Sequence, residues 1–383
     1  MATVTPEEAA LFYVGLMSGT SMDGIDAVLV ETGASGLAVS AALHRDYPEA
    51  LSARLRECIA QPDGVGLDEY GYLDVAVGHC FADAALELLQ SNGLEPRQIR
   101  AIGSHGQTIL HRPLASPPCT LQIGDPNVIA ERTGVDVVAD FRRRDIAAAG
   151  EGAPLVPAFH AAMFAVPGET QVVANLGGIA NITVLHPSGA VTGFDTGPGN
   201  CLMDIWARLH LGTACDVDGA FAAAGHVDPT LLGRLLADRY FARQPPKSTG
   251  REYFNLSFIE SALEGLGGTP AANVQATLCE LTATSLRDAI LLHAAERPER
   301  VLACGGGVHN RHLMRRIAAN LGGTAVQSTA AAGIDPMQVE GAAFAWLAHR
   351  HLERLPGNLP AVTGAKGTRV LGALYPGSGN YRR

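Results

Sequence analysis

The chain has 383 residues, 47% hydrophobic and 17% charged, which is more than one domain's length and a composition able to bury large cores. A net charge of -10 removes overall electrostatic support for nucleic acid or an anionic membrane as partner. Seven cysteines without a C-x-x-C, and 13 histidines without an H-E-x-x-H, fit reduced thiols rather than a disulfide framework and argue against a permanent metal.

Residues 1–10 carry Glu7 and Glu8 and neither a basic stretch nor a long apolar run, which predicts no leader and a cytoplasmic protein. Three short strands at 11–17, 26–31 and 37–44 follow as a meander. A helix at 67–89, strands at 99–104 and 120–123, a helix at 126–133 and a strand at 136–139 come next. The order then recurs. Strands at 171–176, 181–185 and 190–194 lead to a helix at 200–211, further helices, a strand at 300–303, a helix at 311–320, a strand at 324–327 and a helix at 337–355. A meander followed by α/β alternation, met twice, predicts two similar lobes facing one cleft. The expected N-terminal lobe is 1–145, with a Gly- and Pro-rich tail, about 356–383, packing back on it. The expected C-terminal lobe is 146–355, with a helical insertion at about 215–295.

The first turn, Ser18, Gly19, Thr20, Ser21, Met22, Asp23, Gly24, joins two apolar strands with hydroxyls, glycines and an acid. Such a turn lets N–H and O–H groups approach an anion, though the same residues make ordinary hairpin turns. Asn175, Leu176, Gly177, Gly178, Ile179, Ala180 and Asn181 stand at the equivalent place in the second half, and recurrence favours a phosphate clamp. Gly305, Gly306 and Gly307 follow a buried strand and precede a helix, where a flat ligand and an anion can approach. No G-x-x-x-x-G-K-[ST] and no G-x-G-x-x-G occurs there, so neither a P-loop nor a Rossmann site is available.

Asp195 ends a strand-like run before Gly197, Pro198 and Gly199, a placement suited to a general base. Capping of the next helix falls better to Asn200, which directly precedes it. Asp140, Phe141, Arg142, Arg143, Arg144 and Asp145 read most simply as a solvated face, yet at a strand end arginines can also meet a substrate carboxylate. Ser104, His105, Gly106, Gln107 and Thr108 offer polar groups to sugar hydroxyls. Glu340 reads plainly as a helix-start acid.

Together these segments resemble the anhydro-N-acetylmuramic acid kinase family, of the sugar kinase, Hsp70 and actin superfamily, across 14–376. The resemblance implies an α/β fold of two RNase H-like, actin-like ATPase lobes facing an interlobe cleft. It implies ATP and Mg2+ at Gly19, Thr20, Ser21, Met22, Asp23, Gly24, Ile25 and Asp26, at Asn175, Gly177, Gly178 and Asn181, and at Gly305, Gly306, Gly307 and Asn310. It implies Asp195 as catalytic base and a sugar site around His105, Gln107, Arg143, Arg144 and Glu340. The implied reaction phosphorylates 1,6-anhydro-N-acetylmuramic acid at O6 while water opens the anhydro ring at C1, in cell-wall recycling. The superfamily's commoner first turn begins with an aspartate; Ser18 stands there instead, leaving Asp23 and Asp26 as alternatives for magnesium. The small-molecule sugar is the expected partner, and a homodimer stays open. An ordinary kinase of an open hydroxyl and a non-catalytic nucleotide-gated sugar sensor are the competing readings.

Overall fold

The computed structural model describes residues 10–378 apart from Thr20, Ser21, Asp23, Ala34, Ser35 and Ala295. The chain divides into two compact units, Met1–Phe159 with Gln338–Arg383, and His160–Met337.

In the first unit β1 (Leu11–Ser18), β2 (Gly24–Gly33) and β3 (Gly36–Asp46) form an antiparallel meander. β4 (Ile99–Arg112) pairs parallel to β1, β5 (Cys119–Ile123) folds back on β4, and β6 (Val137–Ala139) lies parallel to β4. Alternation along β1 supplies two apolar faces. Val14 and Leu16 join Leu73, Val77 and Phe81 of the helix Leu67–Ser91 in one core. The other face carries the helix Val339–Leu352. Its close approach depends on missing side chains: a Cβ on Gly15 would collide with Gly341 O, and one on Gly103 with Phe344 O. That packing places residues 338–355 in the first unit, whereas the sequence expectation put them in the second lobe.

In the second unit β7 (Gln171–Leu176), β8 (Ile179–Leu185) and β9 (Val191–Pro198) are again an antiparallel meander. β10 (Arg300–Cys304) pairs parallel to β7, and β11 (Ala325–Ser328) parallel to β10. The order β11-β10-β7-β8-β9 therefore repeats β6-β4-β1-β2-β3, the RNase H-like pattern, in each unit. The helix Ala271–His293 runs through the second core with Leu278, Leu281 and Leu286. Glu280 on it receives Arg316 through both carboxylate oxygens, at 2.6 and 2.9 Å, which anchors the helix Arg311–Leu321 behind the third glycine cluster.

A buried carboxylate is among the groups that tie the C-terminal segment to the rest of the first unit. Asp145 is wholly buried and accepts from Gly152 N–H, Asn358 Nδ2 and Thr363 Oγ1 at 2.7 to 2.8 Å. A strand at Ala373–Tyr375 then pairs antiparallel with β6. Helices Glu49–Ala60 and Val156–Phe164 have no counterpart in the sequence expectations.

Candidate active-site residues in each unit

In the second unit the β7–β8 turn folds onto the start of the helix Cys201–Leu211. Gly177 O accepts from Asn200 N–H at 2.8 Å, and Gly178 O from Gly199 and Cys201 N–H at 2.9 and 3.1 Å. Those helix-start amides are thereby spent on the turn's carbonyls and are not free for an anion. Asn200 does not cap with its side chain; its Nδ2 donates to Leu176 O at 2.9 Å. Asn175, next to the last residue of β7, lies opposite Asn181 of β8, and Asn181 lies opposite Asp195 of β9.

The third cluster packs on the same turn. Gly305 has φ +78°, its N–H donates to Pro336 O, and a Cβ there would strike Asn175 Oδ1. A Cβ on Gly307 would meet the Leu176 side chain at 2.6 Å, whereas one on Gly306 would meet nothing within 4 Å. Two of the glycines thus serve backbone packing, and Gly306 faces open space. Asn310 caps the helix Arg311–Leu321, its Oδ1 accepting from Leu313 N–H at 2.9 Å.

Asp195 lies within β9, which runs on to Pro198 beyond the strand end expected from the sequence, in a mount supplied from far along the chain. Its N–H donates to Lys247 O at 3.2 Å, its carbonyl accepts from Tyr240 Oη at 2.8 Å, and its Oδ2 accepts from Thr249 N–H at 3.0 Å. Arg251, two residues on, lays its guanidinium beside the second glycine turn; a Cβ on Gly178 would come within 2.8 Å of it. Sequence reading missed Tyr240, Lys247, Thr249 and Arg251, because they lie in the segment taken as an inserted helix and loop.

In the first unit Ser18 Oγ lies 2.8 Å from Gly24 O and 2.7 Å from Gln107 Oε1, while Gln107 Nε2 donates to Gly19 O at 3.2 Å. Gln107 is 1% exposed. It braces the first glycine-rich turn, a different use from the sugar contact expected of it, because β1 and β4 set Ser18 opposite Gln107. Met22, with φ +55°, gives its carbonyl to Ser52 Oγ at 2.6 Å, and Ile25 is buried in the core. Thr20, Ser21 and Asp23 lie outside the described residues. Asp26 Oδ1 stands 2.7 Å from His44 Nδ1. Among the described residues no three His, Cys, Asp or Glu side chains converge on a metal position.

The first unit also holds a cavity of about 290 Å³, lined among others by Tyr70, Asp74, Ser104, His105, Asp125, Asp140 and Arg143. The volume is near the lower end of small-molecule sites. Ser104 Oγ is buried and has no hydrogen-bond partner among the described residues. Burial pushes the Asp74 and Asp140 carboxyls up, opposed by Gly124 N–H and by Arg143 respectively. Arg143 Nε lies 3.4 Å from Asp140 Oδ1. Arg144 is exposed and away from the cavity wall.

His105 spends both ring nitrogens internally: Nδ1 pairs with Gly106 O at 2.8 Å and Nε2 accepts from Arg142 Nε at 3.0 Å. Burial, and then the Arg142 charge, hold its pKa well below the ordinary value, so the ring is neutral. Arg142, which the sequence reading grouped with its neighbours without a role of its own, also donates to Gly152 O at 2.9 Å and is the cation opposing the upward shift of the Glu340 carboxyl. Residue type alone could not separate Arg142 from its two neighbours.

A repeated RNase H-like sheet, with glycine-rich turns between the first two strands of each copy, defines an ATPase-fold sugar kinase. Residues 11–377 match the family model for anhydro-N-acetylmuramic acid kinase, and the chain belongs to that family. It is 54% identical to the anhydro-N-acetylmuramic acid kinase of Xanthomonas axonopodis pv. citri, over 95% of this chain and 98% of the relative. It is 52% identical to that of Pseudomonas paraeruginosa, with the same coverage. Among solved structures it resembles an activator of 2-hydroxyisocaproyl-CoA dehydratase from Clostridium difficile with bound ADPNP, at 12% identity and TM-score 0.48, over 90% of this chain and 96% of that one. Among the described residues no helix is long and apolar enough to cross a membrane.

Proposed function

We propose that the chain transfers the γ-phosphoryl group of ATP to O6 of 1,6-anhydro-N-acetylmuramic acid while water adds to C1. Asp195 accepts a proton from the water, the water oxygen bonds to C1, and the C1–O6 bond breaks. The released O6 takes the phosphoryl group, and ADP departs, leaving N-acetylmuramic acid 6-phosphate. Mg2+, brought with the nucleotide, supplies charge neutralisation on the phosphates. The reaction belongs in the cytoplasm, in cell-wall recycling.

The observation that carries the reading is the Asp195 mount: three backbone or hydroxyl contacts fix the aspartate within β9, leaving a carboxylate aimed by its Oδ2 contact. Gly306 and Arg251 suit the nucleotide, the first by open space and the second by charge. Ser104 and the acids of the first-unit cavity suit hydroxyl and amide groups of the sugar, with Arg143 the cation for its carboxylate. A coupled assay for ADP release tests the reading with anhydro sugar, open muramic acid and no sugar. ADP release should depend on the anhydro sugar; equal release with open muramic acid would make the protein an ordinary kinase.

A further inference from the structure

Lys247 is 9% exposed, an unusual degree of burial for lysine. Its Nζ stands 4.9 Å from the centre of the Tyr240 ring and 5.7 Å from that of Phe194, the residue before Asp195. The Tyr240 hydroxyl donates to Asp195 O, Lys247 O accepts from Asp195 N–H, and Thr249 N–H reaches the carboxylate. The groups acting on the ammonium come from three directions: Asp195 on β9, Tyr240 and Arg243 after the helix Pro229–Leu236, and His293 ending the helix Ala271–His293. Tyr240 is held neutral by burial and by Asp195, and burial followed by Lys247 lowers His293, so Asp195 is the anion of this group and Arg243 the competing cation. Burial and Arg243 draw the Lys247 pKa down, and Asp195 opposes them.

We propose that Lys247 is a positioning residue for the reaction, its boxed ammonium keeping the Asp195 carboxyl ionised while the loop it belongs to fixes that carboxyl's direction. The proposal rests on Asp195 being the base. An opposite charge nearby favours the ionised carboxylate, so removing it raises the pH at which the base becomes protonated and inactive.

The test is the pH profile of kcat for the full chain with ATP and anhydro sugar saturating. Lys247→Met should move the acid limb upward by about one pH unit, with the KM for ATP within about twofold of wild type. Lys247→Arg should return the limb to its wild-type position. A limb unmoved in Lys247→Met, or one fractional loss of kcat at every pH, would overturn the proposal and leave Lys247 a packing residue. Lys247→Gln replaces the methionine variant, under the same criterion, if that variant does not reach the wild-type unfolding midpoint. Asp195→Asn separates the two levels of the claim: wild-type turnover there removes the base and the proposal together, whereas an inactive Asp195→Asn with an unmoved Lys247→Met limb removes the proposal alone.

Discussion

The backbone N–H of Thr249 donates to Oδ2 of Asp195 at 3.0 Å, across 54 positions of chain. A loop that is insertion-like in sequence therefore sets the direction of the carboxylate, and the backbone of β9 alone does not. Asp195→Asn keeps the shape of the mount and removes the proton acceptor. Turnover should fall by about a hundredfold or more, with ATP affinity, read by calorimetry, largely kept. Wild-type turnover in this variant would end the assignment of Asp195 as base.

The glycines of the third cluster should separate by role. Gly306→Val adds a branched side chain where nothing stands within 4 Å, so folding should survive and ATP affinity should fall more than sugar affinity. Gly305→Val is strained at φ +78° and strikes Asn175, so its cost should appear in the unfolding midpoint. Titration calorimetry beside thermal unfolding checks both. Loss of sugar binding with intact ATP binding in Gly306→Val would move the nucleotide elsewhere.

Gln107 braces Ser18 and Gly19, and its removal should act through the first turn. Gln107→Met leaves Ser18 Oγ without one of its two neighbours and should destabilise the unit by about 1–3 kcal/mol. The KM for ATP should rise while the KM for the sugar stays within about twofold. A selective rise in the sugar KM would restore Gln107 to the sugar.

Acid stability should carry the signature of a buried neutral histidine. His160 is 2% exposed, pairs through Nδ1 with Thr183 Oγ1 at 2.8 Å, and has its pKa lowered by burial from 6.5 to about 3. Below the unfolded value the unfolded chain takes a proton that the native ring refuses. Stability is therefore present above about pH 6.5 and lost as pH falls toward about 3, at about 1.4 kcal/mol per unit. His160→Phe should make the decline in urea-unfolding stability shallower across that window. An unchanged slope would mean that another group carries the loss.

Much of this was legible in the sequence. Strands were readable where one face alternates, as in β1, or where short apolar runs end in glycine turns, and the repeat was visible because both halves use the same order. β4 runs on to Arg112, beyond the expected end at 104, because its polar second half is held by β5. The helix Val156–Phe164 is almost wholly apolar, so it shows no amphipathic period. At the site, the aspartate and the glycine clusters were readable from turn chemistry, although β9 continues through Asp195 to Pro198 where the sequence pattern ended the strand. Arg142 and Lys247 were not: which cation turns inward depends on the buried partners, His105 in one case and the Phe194 and Tyr240 rings in the other, that only the folded chain assembles.

Oxygen bookkeeping tests the central claim most directly. An anhydro sugar has no hydroxyl at O6, so the water deprotonated by Asp195 must end on C1 while the bridging oxygen becomes the phosphate ester. Turnover in ¹⁸O-water, sampled early against pre-formed product that exchanges its C1 oxygen in the same solvent, should label the C1 hydroxyl faster than that control and leave the ester and free phosphate unlabelled. C1 labelling no faster than the control, or label appearing in free phosphate, would contradict coupled ring opening even if ATP were consumed.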